Sequence, residues 1–322
     1  MPPRRATRRN SMVAKALLGL LPLAPPLIQP VVKRAFQPAA HAQKAPLAKE
    51  ESTLGVDITR DEATAVQCDD VLDFQDCHSR FPTGCSQAAG YDADLNYLKN
   101  QLLPAPSPGT EVKFLSQDDF QNLDANLPPG LSRGNHGDFK DALEKLGETK
   151  LFGLTGFLYY AQPSGVESSN CQLADTDPPE GSDVDYHIGI GFDPDLARQA
   201  AAFPDPKHMP KALLKKVQQN SVIVEMTPHT RFNFDPNVWT IENVRAAVGK
   251  PVRVVGQLLV DNEHIPSSQN CATASTKKER SSCWRMSVWE LHPVVRFQAC
   301  SATSCSPNDS HWVELDQLGG GT

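Results

Sequence analysis

The chain has 322 residues, 39% of them hydrophobic and 21% charged, with 31 Lys+Arg against 38 Asp+Glu. That is enough apolar material for one large core or two modest ones, and it excludes a disordered or fibrous protein. With 27 Pro and 20 Gly, short elements joined by turns are favoured over a long helical bundle, so mixed or mainly β structure is expected.

Residues 1–42 carry seven basic residues, Arg4, Arg5, Arg8, Arg9, Lys15, Lys33 and Arg34, and no acidic one. Together with the apolar stretch Met12 to Val32 and Ala40-His41-Ala42 before Gln43, this matches an export signal cleaved after Ala42. Pro22, Pro25, Pro26 and Pro30 interrupt the apolar run, and an organellar transit peptide is the alternative. Thr7-Arg8-Arg9-Asn10 also admits a twin-arginine route. Loss of seven positive charges takes the formal net charge from −7 to −14, which argues against a nucleic-acid partner. No later stretch approaches the roughly 18 apolar residues that a spanning helix needs. The mature chain is therefore expected to be secreted or periplasmic, with no transmembrane segment.

Residues 43–60, rich in Ala, Lys and Glu, read as a flexible leader, and structure is expected from about Cys68. Residues 61–149 read as a loop-rich helical region. Ser116 is placed to cap a helix through Asp118, Asp119, Phe120 and Leu123. Asp138 starts another, with Phe139, Ala142, Leu143 and Leu146 on one side and Gly147 at its end.

From residue 150 the pattern changes to β-branched and aromatic runs, which predict strands over 150–160, 184–191, 221–226, 251–260 and 284–297. Two helices interrupt them, one from Pro210 with Leu213, Leu214 and Val217, the other capped by Thr240 with Ile241, Val244 and Val248 before Gly249. Gly153, Gly156, Gly189, Gly191 and Gly256 inside the strands suit bends and bulges. The expected fold is mainly β with short helices (α+β), a small OB-like β-barrel over 150–318 preceded by the loop-rich, disulfide-linked region.

Cys68, Cys77, Cys85, Cys171, Cys271, Cys283, Cys300 and Cys305 form an even set in a chain that reads as exported, which favours disulfides. Without any Cys-x-x-Cys, structural zinc is the weaker reading. Three cysteines precede residue 100 and five follow residue 170, so complete pairing needs a bridge between the two regions. Cys300/Cys305 and Cys271/Cys283 are spaced to close short loops, which leaves Cys171 to reach Cys68, Cys77 or Cys85.

Gly156-Phe157-Leu158, Asp185-Tyr186-His187-Ile188, Val224-Glu225, the run Val252 to His264 and Trp289-Glu290-Leu291-His292-Pro293-Val294 follow one another in this order. This order resembles a group of exported bacterial proteins of unknown function, over roughly residues 150–315. The resemblance implies an OB-type barrel with a polar signature and brings no established activity. The insert Gln269 to Ser282 departs from that pattern.

Residues two apart on a strand share a face, so Asp185 with His187 and Glu290 with His292 each set an acid beside an imidazole. Glu225 on the middle strand, and Asp261 and His264 after the fourth, complete a candidate cluster. Such a set suits a divalent metal with an activated water, or general acid and base chemistry. It equally suits a buried hydrogen-bond network that pins strands together, the more so if Arg253 or Arg285 pairs with the acids. The acidic stretch Asp175 to Asp185 reads as a solvated turn before a calcium loop, since its glycine falls out of register. His229, between Pro228 and Arg231, reads as a surface loop histidine. No serine-hydrolase, P-loop, dinucleotide or zincin motif occurs. The expected function is noncatalytic binding of a small ligand, an envelope polymer or a protein partner. A metal-assisted, phosphodiesterase-like hydrolase using the Asp/His/Glu cluster is the alternative.

Overall fold

The computed structural model describes residues 71, 77, 83–88, 90–107, 109–174, 181–306 and 309–318. The export signal, the leader, Cys68 and Asp175, Asp177 and Glu180 of the acidic stretch lie outside the described residues. Among these residues the chain is mixed α+β, with seven strands in one sheet and eight α-helices.

Five long strands do the structural work. They are β2 (Leu151–Pro163), β3 (Tyr186–Gly191), β4 (Ser221–Met226), β5 (Pro251–Val260) and β6 (Trp289–Cys300). Two short strands, β1 (Phe114–Leu115) and β7 (Trp312–Glu314), extend β2 and β6. The strand order is β1-β2-β3-β4-β6-β5, and β5 also pairs with β2. Neighbours are antiparallel except β1 with β2 and β4 with β6. Between β4 and β6 the only registered pair is Val224 with Leu291, so the sheet does not close into a clear barrel.

Four of the strands fall within a few residues of their expected places, because β-branched and aromatic side chains favour a pleated, half-buried surface. The last strand starts at Trp289 and not at Trp284. Here the backbone bonds to other segments, the Trp284 amide donating to the Gln269 carbonyl at 3.0 Å and the Met286 amide to the Ser221 carbonyl at 2.9 Å, which keeps 284–288 out of the ladder. Gly256 lies where the β5–β6 register slips, as a bulge requires. At Gly189 the reason is cover: a Cβ there would meet the ring of Tyr160 at 2.1 Å.

The helices are α1 (Ala93–Lys99), α2 (Gln117–Ala125), α3 (Lys140–Leu146), α4 (Pro194–Ala200), α5 (Lys211–Gln219), α6 (Pro228–Phe234), α7 (Ile241–Arg245) and α8 (Lys277–Ser282). Ser116 caps α2, reciprocated by Asp119, and Thr240 caps α7, both where the hydroxyl spacing placed them. Asp138 does not start α3; it belongs to a 3₁₀ turn, His136–Phe139, and α3 follows. Gly147 ends α3 in the left-handed region, φ 113°, which favours glycine. Helices α1, α4, α6 and α8 have six or seven residues, too few for a 3.6-residue period to stand out; α3 and α7 are no longer and are legible from their end signals, Gly147 and Thr240.

Leu115, Phe120, Leu131 and Leu143, from the loop-rich segment, share one buried core with Leu154, Leu158, Val254, Leu291 and Phe297 of the sheet. Three disulfides brace this unit: Cys77–Cys171, Cys271–Cys283 and Cys300–Cys305. Cys85 is disulfide-bonded as well. The bridge required by parity is thus supplied by Cys77, and the set is consistent with an oxidising compartment. No helix among the described residues is long and apolar enough to cross a membrane.

Candidate functional site

Antiparallel β3 and β4 set His187 opposite Glu225, and parallel β4 and β6 set Val224 beside Leu291, so Glu225 comes next to His292. Asp185 immediately precedes β3, and Asp261 immediately follows β5 as the cap of the 3₁₀ turn Asn262–His264. The register alone therefore brings all seven expected residues to one end of the sheet.

They form one continuous polar network. His187 Nε2 lies 3.0 Å from Glu225 Oε1 and 3.5 Å from Glu167 Oε1. His292 Nδ1 lies 3.0 Å from Glu290 Oε1 and 3.3 Å from Glu225 Oε2, while its Nε2 faces Asp185 Oδ2 at 3.7 Å. Arg285 donates to Asp261 Oδ2 at 2.8 Å and to Glu290 Oε2 at 2.6 Å. Asp261 also meets His264 Nδ1 at 2.6 Å, and the His264 ring stands edge-on to Trp284. Arg253 stays outside, bonding Gln298 at 2.7 Å.

Two members escape sequence reasoning. Glu167 sits in the loop after β2, four residues before the bridged Cys171, and Lys99 ends α1 and reaches Glu167 Oε2 at 3.5 Å. Neither lies on a strand, so alternation could not reveal them; only the Cys77–Cys171 bridge hints that this loop is held near the N-terminal segment. A second buried group was also missed: His136, with Asp94 on Nδ1 at 2.6 Å and Glu148 on Nε2 at 2.9 Å. His229 is not a loop histidine. It lies in α6 with Nδ1 3.0 Å from the carbonyl of Asn100, and burial lowers it to about 4.

The network's electrostatics follow from burial. Five carboxylates, on Glu167, Asp185, Glu225, Asp261 and Glu290, face two permanent cations, on Lys99 and Arg285, and three imidazoles. Burial by itself lowers both His187 and His292; Glu225 together with Glu167 at His187, and with Glu290 and Asp185 at His292, outweighs it and raises them, His187 well above the ordinary histidine range. Burial raises Glu225, but His187 and His292 prevail and bring it below its usual value. Asp261, against burial, is held well below the carboxylate range by His264 and Lys99. Asp185 differs: burial first, then the Glu167 charge, push it up to about 7. Among the described residues its oxygens have no hydrogen-bond partner, and neither has His292 Nε2.

Access is limited. Asp185, Glu290 and His292 are fully buried, whereas the His187 and Glu167 side chains keep 18% and 21% of their surface exposed. Two overlapping sets among the described residues bring one potential ligand atom from each member within 4.8 Å of the others: Glu167, His187 and Glu225, and Asp185, Glu225 and His292. Elsewhere, an open groove of about 420 Å³ is lined by the stacked rings of Phe234 and Trp239, 4.8 Å apart, with Asp235, Arg296 and Glu314. No family model matches this chain, and neither a curated protein nor a solved structure matches it. The resemblance to exported bacterial proteins thus rests on motif order alone.

Proposed function

We propose that this protein is an exported, disulfide-braced OB-like module that acts by noncatalytic binding, its ligand taken up in the groove beside Trp239. One observation carries the reading: the centre of the acid and histidine cluster is fully buried and meets solvent through the partly exposed His187 and Glu167, while the aromatic groove is open. Asp185, Glu290 and His292 have no exposed surface, and Arg285 occupies the space between Asp261 and Glu290. A metal-assisted hydrolase needs an open coordination position that substrate reaches, and burial weighs against one here.

The OB-like part of the reading is supported by the strand order β2-β3-β4-β6-β5, the return of β5 to β2, and the parallel contact of β4 with β6. Export is supported by the basic, acid-free start and the disulfides. In the groove, a stacked ring pair offers a flat apolar platform, and the Arg296 and Glu314 pair, with Asp235, offers donors and acceptors around it. That combination suits a sugar ring, which is apolar on its faces and rich in hydroxyls at its edge, so an envelope polysaccharide fragment is the ligand class of choice. Titration with soluble envelope glycan fragments, followed by the Trp239 indole resonance, is expected to give a saturable shift that Trp239→Ala abolishes. An unmoved indole at millimolar glycan would sink the proposal.

A further inference from the structure

Outside the groove, the buried end of the polar network holds atoms that the network itself does not satisfy. Among the described residues, both Asp185 oxygens, Glu225 Oε2 and His292 Nε2 lack a hydrogen-bond partner, and all three side chains are 2% exposed or less. A buried polar group left without a partner destabilises a fold, and a charged one does so more strongly, so several orphans facing one another point to something that fills them.

The arrangement around His292 says what that something is. Its Nδ1 is engaged by Glu290 Oε1 at 3.0 Å, and Glu290 is anchored in turn by Arg285 at 2.6 Å. A carboxylate on one ring nitrogen orients the other toward a metal, the usual outer support of metal-bound histidines. The free nitrogen, Nε2, faces Asp185 Oδ2 at 3.7 Å. That is too long for a hydrogen bond but close to the roughly 3.4 Å that separates two ligands of one tetrahedral ion bound at about 2.1 Å. Glu225 supplies the third ligand, within 4.8 Å of the other two.

We infer that Asp185, Glu225 and His292 form a closed site for one divalent transition-metal ion of the kind that accepts mixed nitrogen and oxygen ligands, such as Zn2+. The ion ties together the chain ahead of β3, the end of β4 and the middle of β6. It lies at the seam where the sheet has least backbone pairing, since Val224 with Leu291 is the one registered pair there. Its role is thus to clamp the sheet: three protein ligands leave one coordination position over, and burial of all three keeps substrate from reaching it. Glu167 and His187, the partly exposed set on the other oxygen of Glu225, provide an outer station through which the ion arrives. The inference is independent of what the groove binds.

The test uses the full mature chain, stripped with a chelator, dialysed against Zn2+ near neutral pH and freed of unbound metal. One Zn2+ per chain by elemental analysis is expected, with a higher thermal midpoint than the stripped protein and a shift of the His292 ring resonances at one equivalent. Asp185→Asn, which keeps the side-chain volume, is expected to weaken binding at least tenfold. Substoichiometric metal in the wild-type chain overturns the inference. So does stoichiometric binding that leaves the His292 ring unmoved, because the ion then sits elsewhere; neither result depends on whether the variant folds.

Discussion

Raising the pH from about 6 to about 9.5 is expected to loosen the attachment of the loop-rich segment to the sheet, and His136 is the group responsible. This residue is fully buried and links Asp94 of α1 to Glu148, whose Oε1 also accepts from the Val260 amide of β5 at 3.1 Å. Burial alone would lower the imidazole; the hydrogen bonds it donates to Asp94 and Glu148, with the charges of those two carboxylates, outweigh it and raise it from 6.5 to about 9. A histidine raised in the folded state contributes its full stabilisation below the unfolded value near 6.5 and loses it as the pH climbs through about 9. A gap of roughly 2.5 units, at about 1.4 kcal/mol per unit, amounts to about 3 kcal/mol. Urea denaturation of the wild type and of His136→Gln at both pH values isolates this quantity, since groups such as His187 and Asp185 titrate in both proteins and cancel. The wild type is expected to lose about 3 kcal/mol more than the variant over this range, and the His136 ring to titrate near 9 by NMR. Parallel stability curves, or a His136 midpoint at or below the ordinary value, would refute the reasoning.

Replacement of Arg285 by Met is expected to destabilise the fold by about 3–5 kcal/mol in chemical denaturation, because it leaves Asp261 and Glu290 buried without their cation. A loss below about 1 kcal/mol would mean that the neighbouring imidazoles already neutralise both acids. Among the disulfides, Cys77–Cys171 closes the longest interval, 94 residues, against 12 for Cys271–Cys283. Chain-entropy arguments make its removal by paired Ser substitutions worth about 4–5 kcal/mol, against about 3 for the shorter one. Melting temperatures that rank the two variants the other way would show that the folded state, and not the unfolded one, decides the effect.

Strands were legible where side chains are β-branched or aromatic and bounded by breakers, as in Ser221 to Met226 and Pro251 to Val260, since local sterics and burial agree there. The start of β6 was not, because Trp284 to Val288 has strand-like side chains but spends its backbone on Gln269, on Ser221 and on the isolated bridge from Asn270 to Arg285. Likewise, alternation put Asp185 near His187 and Glu290 near His292. It could not tell that Glu225 stands between the two histidines, because the parallel pairing of β4 with β6 depends on how the 62 intervening residues are arranged in space.

Residue types and short spacings by themselves determined the mixed composition of elements, the caps at Ser116 and Thr240, the need for a disulfide between the two halves, and the acids and imidazoles that cluster. These follow from interactions a few residues long or from parity. Only the tertiary structure decided which cysteine meets Cys171, that Lys99 and Glu167 join the network, that His136 is a buried ionic link, and that Arg285 pairs with Asp261 and Glu290 while Arg253 does not. Each of these depends on segments far apart in the chain, and above all on burial, which sets whether a carboxylate beside an imidazole is a solvated pair or the wall of a closed site.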